Sequence, residues 1–295
     1  MGKVLLIFGL CILTISTIFA ADFFKIVKTG TPKQVIDAIA AGANPNEQRD
    51  MTDQMKFKEN QEWENMDSPI MVAARFNSNP EIIKALVAAG ADANYADALF
   101  SQHPLAIACG YNNIEVVRAL IEAGADKDAF GYRCPCPVTS AASNDNIDIV
   151  KYLIGLGVAM NPENTRPVLN DALFSTKNKK IIDLLIAAGA QINFEHDDYA
   201  AQPLYIAVDR DSTPEIIEAL LKAGANPNLQ NRDGYTLLMK ACDLSKSPEV
   251  VKLLLSYGAD VMAKDDQEKT ALNYFDQNKY LKNSPIRKQL RDAMK

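Results

Sequence analysis

The fold of this chain is decided by a recurring stretch whose clearest copy, residues 103–128, reads HPLAIACGYNNIEVVRALIEAGADKD. Within it, the pair Val116 and Val117 is followed by Leu120 and Ile121, and then by Gly124. Apolar residues at i, i+1, i+4 and i+5 form one stripe of a helix. Glycine readily adopts the left-handed conformation that ends a helix. The stretch therefore predicts a short amphipathic helix that stops at Gly124.

The same phrase returns with a nearly constant period. The glycine stands at positions 42, 90, 124, 157, 189, 224 and 258, at intervals of 48, 34, 33, 32, 35 and 34 residues. A β-branched pair and a leucine-like pair precede six of these glycines. A period of about 33 residues indicates stacked units, each of which contacts only its neighbours.

Each unit also contains a second recurring pattern, which marks the start of another helix. Proline is tolerated in a first helical turn, because its missing N–H would be unpaired there anyway. A pair of small residues follows this start and allows neighbouring helices to approach closely. The prolines are Pro69, Pro104, Pro137, Pro167 and Pro203, with Thr236 and Thr270 continuing the series, and the small pairs begin at Ala73, Ala108, Ala141, Ala207 and Ala241.

Proline start, alanine pair and a turn such as Gly90-Ala91-Asp92-Ala93-Asn94 occur together, and the unit resembles the ankyrin repeat. The resemblance covers residues 22 to 294. It implies an all-α fold, an ankyrin-repeat α-solenoid of about eight helix pairs with β-hairpin fingers. It also implies a concave face lined by first helices and fingers, and the binding of another protein.

The two ends of the chain differ from the interior repeats, and these differences predict the domain organisation. We expect a signal peptide at 1–20 and a repeat domain at 21–295. The domain divides into an N-terminal cap (21–46), a long finger insertion (47–67), repeats (68–269) and a C-terminal cap (270–295). Gln34 and Ala38 stand where interior repeats carry apolar residues, so one side of the first unit should face solvent. The last helix, expected from Pro285 to Met294, is rich in charge, as a terminal cap requires.

The first residues are typical of a secretory leader. Lys3 precedes an uncharged, mostly apolar stretch from Val4 to Phe19, and Ala20 and Ala21 precede Asp22. We expect cleavage after Ala20 and a periplasmic or secreted protein. The alternative is an uncleaved leader that anchors a structural scaffold in a membrane. Since no Asn lies in an Asn-x-Ser/Thr acceptor, a bacterial periplasm fits better than a eukaryotic secretory route.

Composition and motifs favour binding over catalysis. The hydrophobic content of 48% indicates a folded chain, and the net charge of −6 does not favour nucleic acid. His103 stands at a helix start, and His196-Asp197-Asp198 is a weak metal candidate because consecutive side chains in an extended segment point apart. We predict no catalytic residues, no metal and no cofactor. A hydrolase or metal-dependent enzyme is the least favoured interpretation.

Four cysteines remain after the leader, and they are predicted to form no intramolecular bridge. Cys109 and Cys136 should lie about 9 Å apart along parallel helices, from the helical rise. That separation exceeds the bridging range. Cys134 and Cys136 flank a proline, and Cys242 is several repeats away.

Aromatic residues on the fingers are the predicted partner-binding residues. Aromatic side chains are strong interface anchors. The alternative is that they pack between fingers or back onto the cap. The last two fingers, Asn228 to Gly234 and Ala263 to Lys269, lack aromatics, so we expect binding in the N-terminal and central part. The predicted residues are Phe57, Trp63, Tyr95, Phe100, Phe130, Tyr132, Phe194 and Tyr199.

The sequence thus predicts an exported, monomeric protein-binding module without enzymatic activity. Its partner would be another protein, with no nucleic acid and no membrane contact after cleavage of the leader. One hypothesis is that it inhibits, neutralises as an immunity protein, or stabilises another exported protein.

Overall fold

The computed structural model describes residues 23–48, 68–97, 101–130, 135–161, 167–194 and 199–295. The predicted leader and most of the predicted long finger lie outside these ranges. The chain divides into two compact units, with the boundary between Val158 and Ala159. Each unit is built from helix pairs, and the described residues contain eight such pairs, as the sequence predicts.

Unit 1 contains four of these pairs. They are α1 (residues 23–29) with α2 (Pro32–Ala40), α3 (Pro69–Phe76) with α4 (Pro80–Ala88), α5 (Pro104–Tyr111) with α6 (Ile114–Glu122), and α7 (Pro137–Ser143) with α8 (Ile147–Gly155). The first helices α3, α5 and α7 stack on one another, and so do the second helices α2, α4, α6 and α8. This is the nearest-neighbour stacking expected of a repeat array.

Unit 2 follows the same plan. Its pairs are α9 (Val168–Ser175) with α10 (Lys179–Ala187), α11 (Pro203–Asp209) with α12 (Pro214–Lys222), α13 (Leu237–Leu244) with α14 (Pro248–Ser256), and α15 (Ala271–Gln277) with α16 (Ile286–Ala293). A 3₁₀ turn, Tyr199–Ala201, precedes α11. First helices again stack on first helices, and α10, α12, α14 and α16 form the second row.

The local rules operate as the sequence predicts. Gly124 has a φ of 86°, and the other repeat glycines also have positive φ. The N–H of Ala125, directly after Gly124, donates a hydrogen bond of 3.0 Å to the carbonyl of Leu120 and caps the end of the helix. One start differs from the prediction, because Pro167 has an extended ψ of 138° and caps α9 instead of opening it.

The small residues of the first helices allow close packing. A Cβ added to Gly110 on α5 would lie 3.3 Å from Nδ2 of Asn144 and 3.7 Å from Cβ of Ser140, both contributed by the α7 segment. Ala73 and Ala74 on α3 are fully buried. The apolar stripe of the second helices is equally closed, since Val116, Val117 and Leu120 are inaccessible to solvent.

The first and last helix pairs each have an exposed face, and their role as caps stays a prediction. Gln34 is exposed, and the neighbouring Ile36 is 53% exposed on the same helix. In α16 the charged residues face outward, whereas Ile286 and Leu290 are buried. Arg287 binds Asp276 of α15 through two hydrogen bonds of 2.6 and 2.7 Å, so the final helix is tied to the preceding one.

The finger between α12 and α13 has a hairpin turn at its base. Gln230 and Thr236 form an antiparallel bridge, which is the one isolated β-bridge among the described residues. The N–H of Asn231 donates to the carbonyl of Tyr235 at 3.1 Å. Among the described residues, this bridge is the one trace of the predicted β-hairpin fingers, and no finger there contains a strand.

An asparagine four residues after the repeat glycine ties successive repeats together. The side-chain NH2 of this asparagine donates to the carbonyl of the next repeat glycine. Its side-chain oxygen accepts from the backbone N–H of the residue two positions after that glycine. In the third repeat the position holds Asp128, and Lys127 instead donates to Gly157 at 3.0 Å while pairing with Asp128. The asparagine bonds run from Asn46 to Gly90, Asn94 to Gly124, Asn161 to Gly189, Asn193 to Gly224 and Asn228 to Gly258.

Candidate protein-binding surfaces

Four of the predicted finger aromatics can be placed. Phe130 is 48% exposed, whereas Tyr95, Phe194 and Tyr199 are half-buried. Phe57, Trp63, Phe100 and Tyr132 lie outside the described residues. The described fingers therefore carry one exposed ring and three partly covered ones, and their role in binding stays a prediction.

Phe194 is held in place through its own backbone. The buried side chain of Gln202 accepts a hydrogen bond from the Phe194 N–H at 3.0 Å and donates to its carbonyl at 2.7 Å. Because both backbone groups are bonded to one amide, the base of this finger is fixed relative to the start of α11. Such fixation lowers the entropy that a partner must overcome when it binds.

Unit 2 carries a cluster of partly exposed tyrosines that we call the tyrosine surface: Tyr199, Tyr205, Tyr235 and Tyr274, together with Lys240. Tyr199 packs edge-on against Tyr205 with ring centroids 4.5 Å apart. Tyr235 packs in the same way against Tyr274 at 5.1 Å. Edge-to-face pairs restrict the rings while leaving part of each accessible.

Lys240 on α13 is the buried charge of this surface. Only 7% of it is exposed, and its ammonium lies 2.8 Å from the Asp209 carboxylate and 4.7 Å from the centre of the Tyr205 ring. Burial lowers the pKa of Lys240. Hydrogen bonds to Asp209 and Tyr205 outweigh that effect, so the pKa lies above its ordinary value. Lys240 is therefore a fixed cation that links α11 to α13.

Carboxylates hold the other two tyrosines. The Tyr274 hydroxyl donates to Asp265, which raises the pKa of Tyr274 to about 12 and lowers that of the Asp265 carboxyl. The Tyr235 hydroxyl donates to Asp243 at 3.3 Å. Burial and the charge of Asp243 raise the pKa of Tyr235. Tyr235 and Tyr274 therefore stay neutral over the physiological pH range, and their rings are oriented before any partner binds.

Most of this surface was not predicted from the sequence, because the predicted binding residues lie on the fingers alone. Tyr205 and Tyr274 lie on first helices, and Tyr235 follows directly after a finger that reads as polar. A usable signal was Lys240, which stands at the helix position that Val72 and Ile107 occupy in unit 1. A buried lysine at a position that is apolar in other repeats points to a specific partner for its charge.

A second exposed aromatic group lies in unit 1, at the carboxyl ends of α3 and α5. Phe76 is 36% exposed and Tyr111 is 58% exposed, and the Arg75 guanidinium lies between them. Neither ring belongs to a finger, so this group was also missed. A pattern of aromatic residues at the ends of first helices could have revealed it.

The metal candidate and the cysteines fall only in part within the described ranges. No group of three His, Cys, Asp or Glu residues there could hold a metal ion, and His196-Asp197-Asp198 lies outside them. His103 is the N-cap residue of α5, and its side chain makes no capping hydrogen bond. Cys109 and Cys242 are buried free thiols. Cys134 is not among the described residues, so the absence of any bridge stays a prediction.

Among the described helices, none has both the length and the apolar character needed to cross a bilayer.

Comparisons with known proteins agree with the architecture. A family profile described as ankyrin repeats in three copies matches residues 27–131, 70–164, 169–265 and 204–281. A putative ankyrin repeat protein of fowlpox virus (strain NVSL) is 34% identical over 131 residues, which cover 43% of this chain and 38% of the relative. One from Rickettsia felis is 32% identical over 124 residues, which cover 42% of each chain. The chain thus spans less than half the length of these curated relatives.

Among solved structures, the human ASB11 ankyrin repeat domain is similar to this chain with a TM-score of 0.62 and 23% identity. The match covers 77% of this chain and 97% of that domain, and at this identity it supports the fold alone. The family profile covers most of the repeat domain, from the first described helix to α15. This chain therefore belongs to the ankyrin-repeat family.

Proposed function

We propose that this chain is an exported protein-binding module that acts by presenting a rigid surface to one partner protein. The observation that carries the proposal is the tyrosine surface of unit 2. Tyrosine and arginine are enriched among the residues that dominate protein interfaces. Tyrosine contributes a large contact area with few rotatable bonds, so it loses little entropy on binding.

The geometry of the tyrosine surface supports recognition without rearrangement. Two edge-to-face pairs and two hydroxyl–carboxylate hydrogen bonds orient the four rings. Lys240 and Asp209 add a fixed ion pair beside them. A partner that stacks apolar groups on the rings would find its contacts already in position, and less binding energy would be spent on ordering.

The finger aromatics belong to the same proposal. Phe130 in unit 1 and Phe194 in unit 2 would add contacts for the partner, as would Trp63, Phe100 and Tyr132. Phe130 supports this role by its exposure. Within unit 2, a partner that covers both Phe194 and the tyrosine surface would bury more surface than either offers alone.

Export is the part of the proposal that rests on the sequence. The apolar stretch from Val4 to Phe19 and the alanines before Asp22 support a cleaved leader. The exported chain would start at Ala21 and would inhibit, neutralise or stabilise another exported protein. Intact-mass analysis of the protein from an exported fraction tests this step, and Met1 retained in a membrane fraction would favour the anchored scaffold instead.

Site-specific crosslinking tests the binding function. A photoreactive phenylalanine derivative is placed at Tyr235 in one variant and at Tyr257, the residue after α14 on the row of second helices, in another. We expect illumination in an exported-protein extract to join one protein to position 235 and not to position 257. Equal crosslinking at both positions, or none at either, would argue against a binding role for the tyrosine surface.

A further inference from the structure

The group at the ends of α3 and α5 combines cations with exposed rings. We call it the Arg75 ridge: Lys28, Arg75, Phe76 and Tyr111. The Arg75 guanidinium carbon lies 3.8 Å from the centre of the Tyr111 ring and 5.3 Å from that of Phe76. The Lys28 ammonium lies 4.4 Å from the Phe76 ring centre. Cations and rings therefore alternate along one edge of unit 1.

Arg75 has no carboxylate partner among the residues that the structure describes. None of the ion pairs found there includes it, and its Nε atom is buried without a hydrogen-bond partner in those ranges. A guanidinium that stacks on a ring keeps its N–H groups in its own plane, where they can still bind a carboxylate with two hydrogen bonds. Arg75 is thus oriented for an acidic group that the described residues of unit 1 do not supply.

The turns around the ridge are nearly neutral. Residues 29–31 read Thr-Gly-Thr, residues 77–79 read Asn-Ser-Asn, and residues 112–113 are both asparagine. The next turn, residues 144–146, contributes one carboxylate, Asp145. Asp145 is therefore the one carboxylate in these described turns, although the whole chain carries a net charge of −6.

Buried amides keep the ridge rigid. The Asn77 amide donates to the carbonyls of Val27 and Gly30, at 2.9 and 3.2 Å. The Asn112 amide donates to the carbonyls of Ala74 and Asn77, at 2.9 and 3.1 Å. These bonds join the ends of α1, α3 and α5, so the backbone that carries the cations and rings is held together before any partner arrives.

We propose that the Arg75 ridge binds an acidic segment of the partner protein. One Asp or Glu carboxylate of that segment pairs with Arg75, and a neighbouring apolar side chain packs on Phe76 and Tyr111. Two cations on an acidic chain are too few to hold a nucleic-acid backbone, whereas one carboxylate beside an apolar residue matches both features of the ridge. The proposal rests on the protein-binding function and adds the chemistry of the bound segment.

A displayed library of random peptides, selected on the full chain, tests this inference. We expect the enriched peptides to share an Asp or Glu next to an aromatic or aliphatic residue. For the best peptide, Arg75→Gln should weaken binding by about 30-fold. The affinity of Arg75→Lys for the peptide should lie between those of the parent protein and of Arg75→Gln, because lysine keeps the charge but cannot stack as a plane on the ring. Added salt should weaken binding to the parent protein.

Arg118→Gln is the matched control, because the Arg118 guanidinium lies 4.3 Å from the Tyr152 ring on the second helices of the same unit. It should leave peptide binding unchanged, and both glutamine variants should show similar melting temperatures. A charge-reversed copy of the peptide and a single-stranded oligonucleotide serve as alternative probes. Arg75-dependent binding of either one would overturn the acidic-segment proposal.

The outcomes separate this inference from the proposed function. If no acidic peptide is enriched, or if Arg75→Gln binds the peptide as tightly as the parent, the inference is wrong. Crosslinking at position 235 would in that case still support a protein-binding role through the tyrosine surface. If that crosslinking also fails, the proposed function itself is wrong.

Discussion

The side chain of Asn94 joins two successive repeats through the backbone around Gly124. Its amide donates to the Gly124 carbonyl at 2.9 Å, and its oxygen accepts from the Asp126 N–H at 2.7 Å. Gly124 has a positive φ, so its carbonyl ends a helix and needs a donor. One amide thereby satisfies two backbone groups of the next repeat, and the same geometry recurs at Asn161, Asn193 and Asn228.

Replacing Asn94 with alanine should lower the free energy of unfolding by about 1–2 kcal/mol, since two hydrogen bonds are lost and each contributes modestly. Chemical denaturation measures the change. Met262 stands at the equivalent position after Gly258, at the end of the series, and Met262→Ala is the control that should change stability little. An equal loss in both variants would contradict a linking role for the asparagine.

Replacing Leu120 with alanine tests nearest-neighbour stacking. Leu120 is inaccessible to solvent, and truncating such a residue costs about 2–5 kcal/mol because a cavity remains. Amide hydrogen exchange should accelerate across residues 103–157, the repeats that contact it. Leu244→Ala, at a position 59% exposed, should have little effect. Unchanged protection in the Leu120 variant would count against the stacking model.

Replacing Asp209 with alanine leaves the Lys240 ammonium without its carboxylate. Because Lys240 is buried and Asp209 is half-exposed, we expect a loss of about 1–3 kcal/mol in unfolding free energy. The pair between Lys246 and Asp211 is longer, at 3.7 Å, and solvent-exposed. Lys246→Ala should therefore cost about 0–1 kcal/mol. Equal losses in unfolding free energy for the two variants would show that the pair between buried Lys240 and Asp209 contributes no more to stability than an exposed pair.

The tyrosine surface should make stability fall at alkaline pH. The folded-state pKa of Tyr274 is raised from 10.0 to about 12, and those of Tyr235 and Lys240 are raised as well. Above pH 10.0 the unfolded chain loses these protons first, so the folded state binds more protons and its stability falls as pH rises. Tyr274→Phe should make this fall shallower. Denaturation at a series of pH values measures it, and an unchanged slope would contradict the assignment.

The finger aromatics give the last prediction. Trp63→Ala and Phe130→Ala should weaken capture of the native partner by about 2 kcal/mol or more if they are binding hot spots. The melting temperature should stay nearly unchanged, because an exposed ring such as Phe130 has few neighbours to lose. Arg232 and Lys264 are control positions and should matter little. Lower stability with intact binding would mean that these rings pack between fingers.

The helices and their ends could be predicted from the sequence because their causes are local. A stripe of apolar residues such as Val116, Val117 and Leu120 makes a helix amphipathic, and Gly124 ends it through its backbone freedom. The period between glycines then gives the stacking, since a repeat can bury its stripe only against its neighbours. The predicted last helix, Pro285 to Met294, differs from the observed Ile286–Ala293 by one residue at each end.

The binding surfaces depended on contacts between residues about one repeat apart. Lys240 meets Asp209, Tyr235 meets Tyr274, and Arg75 meets Tyr111. The repeat period places such residues at equivalent positions, but it does not say which side chain turns towards which. Packing and electrostatics in three dimensions decide this. A buried ammonium is stable only beside a carboxylate, and aromatic rings pack favourably edge to face. The sequence therefore determined the repeat framework, and the tertiary structure alone decided which side chains form its surfaces.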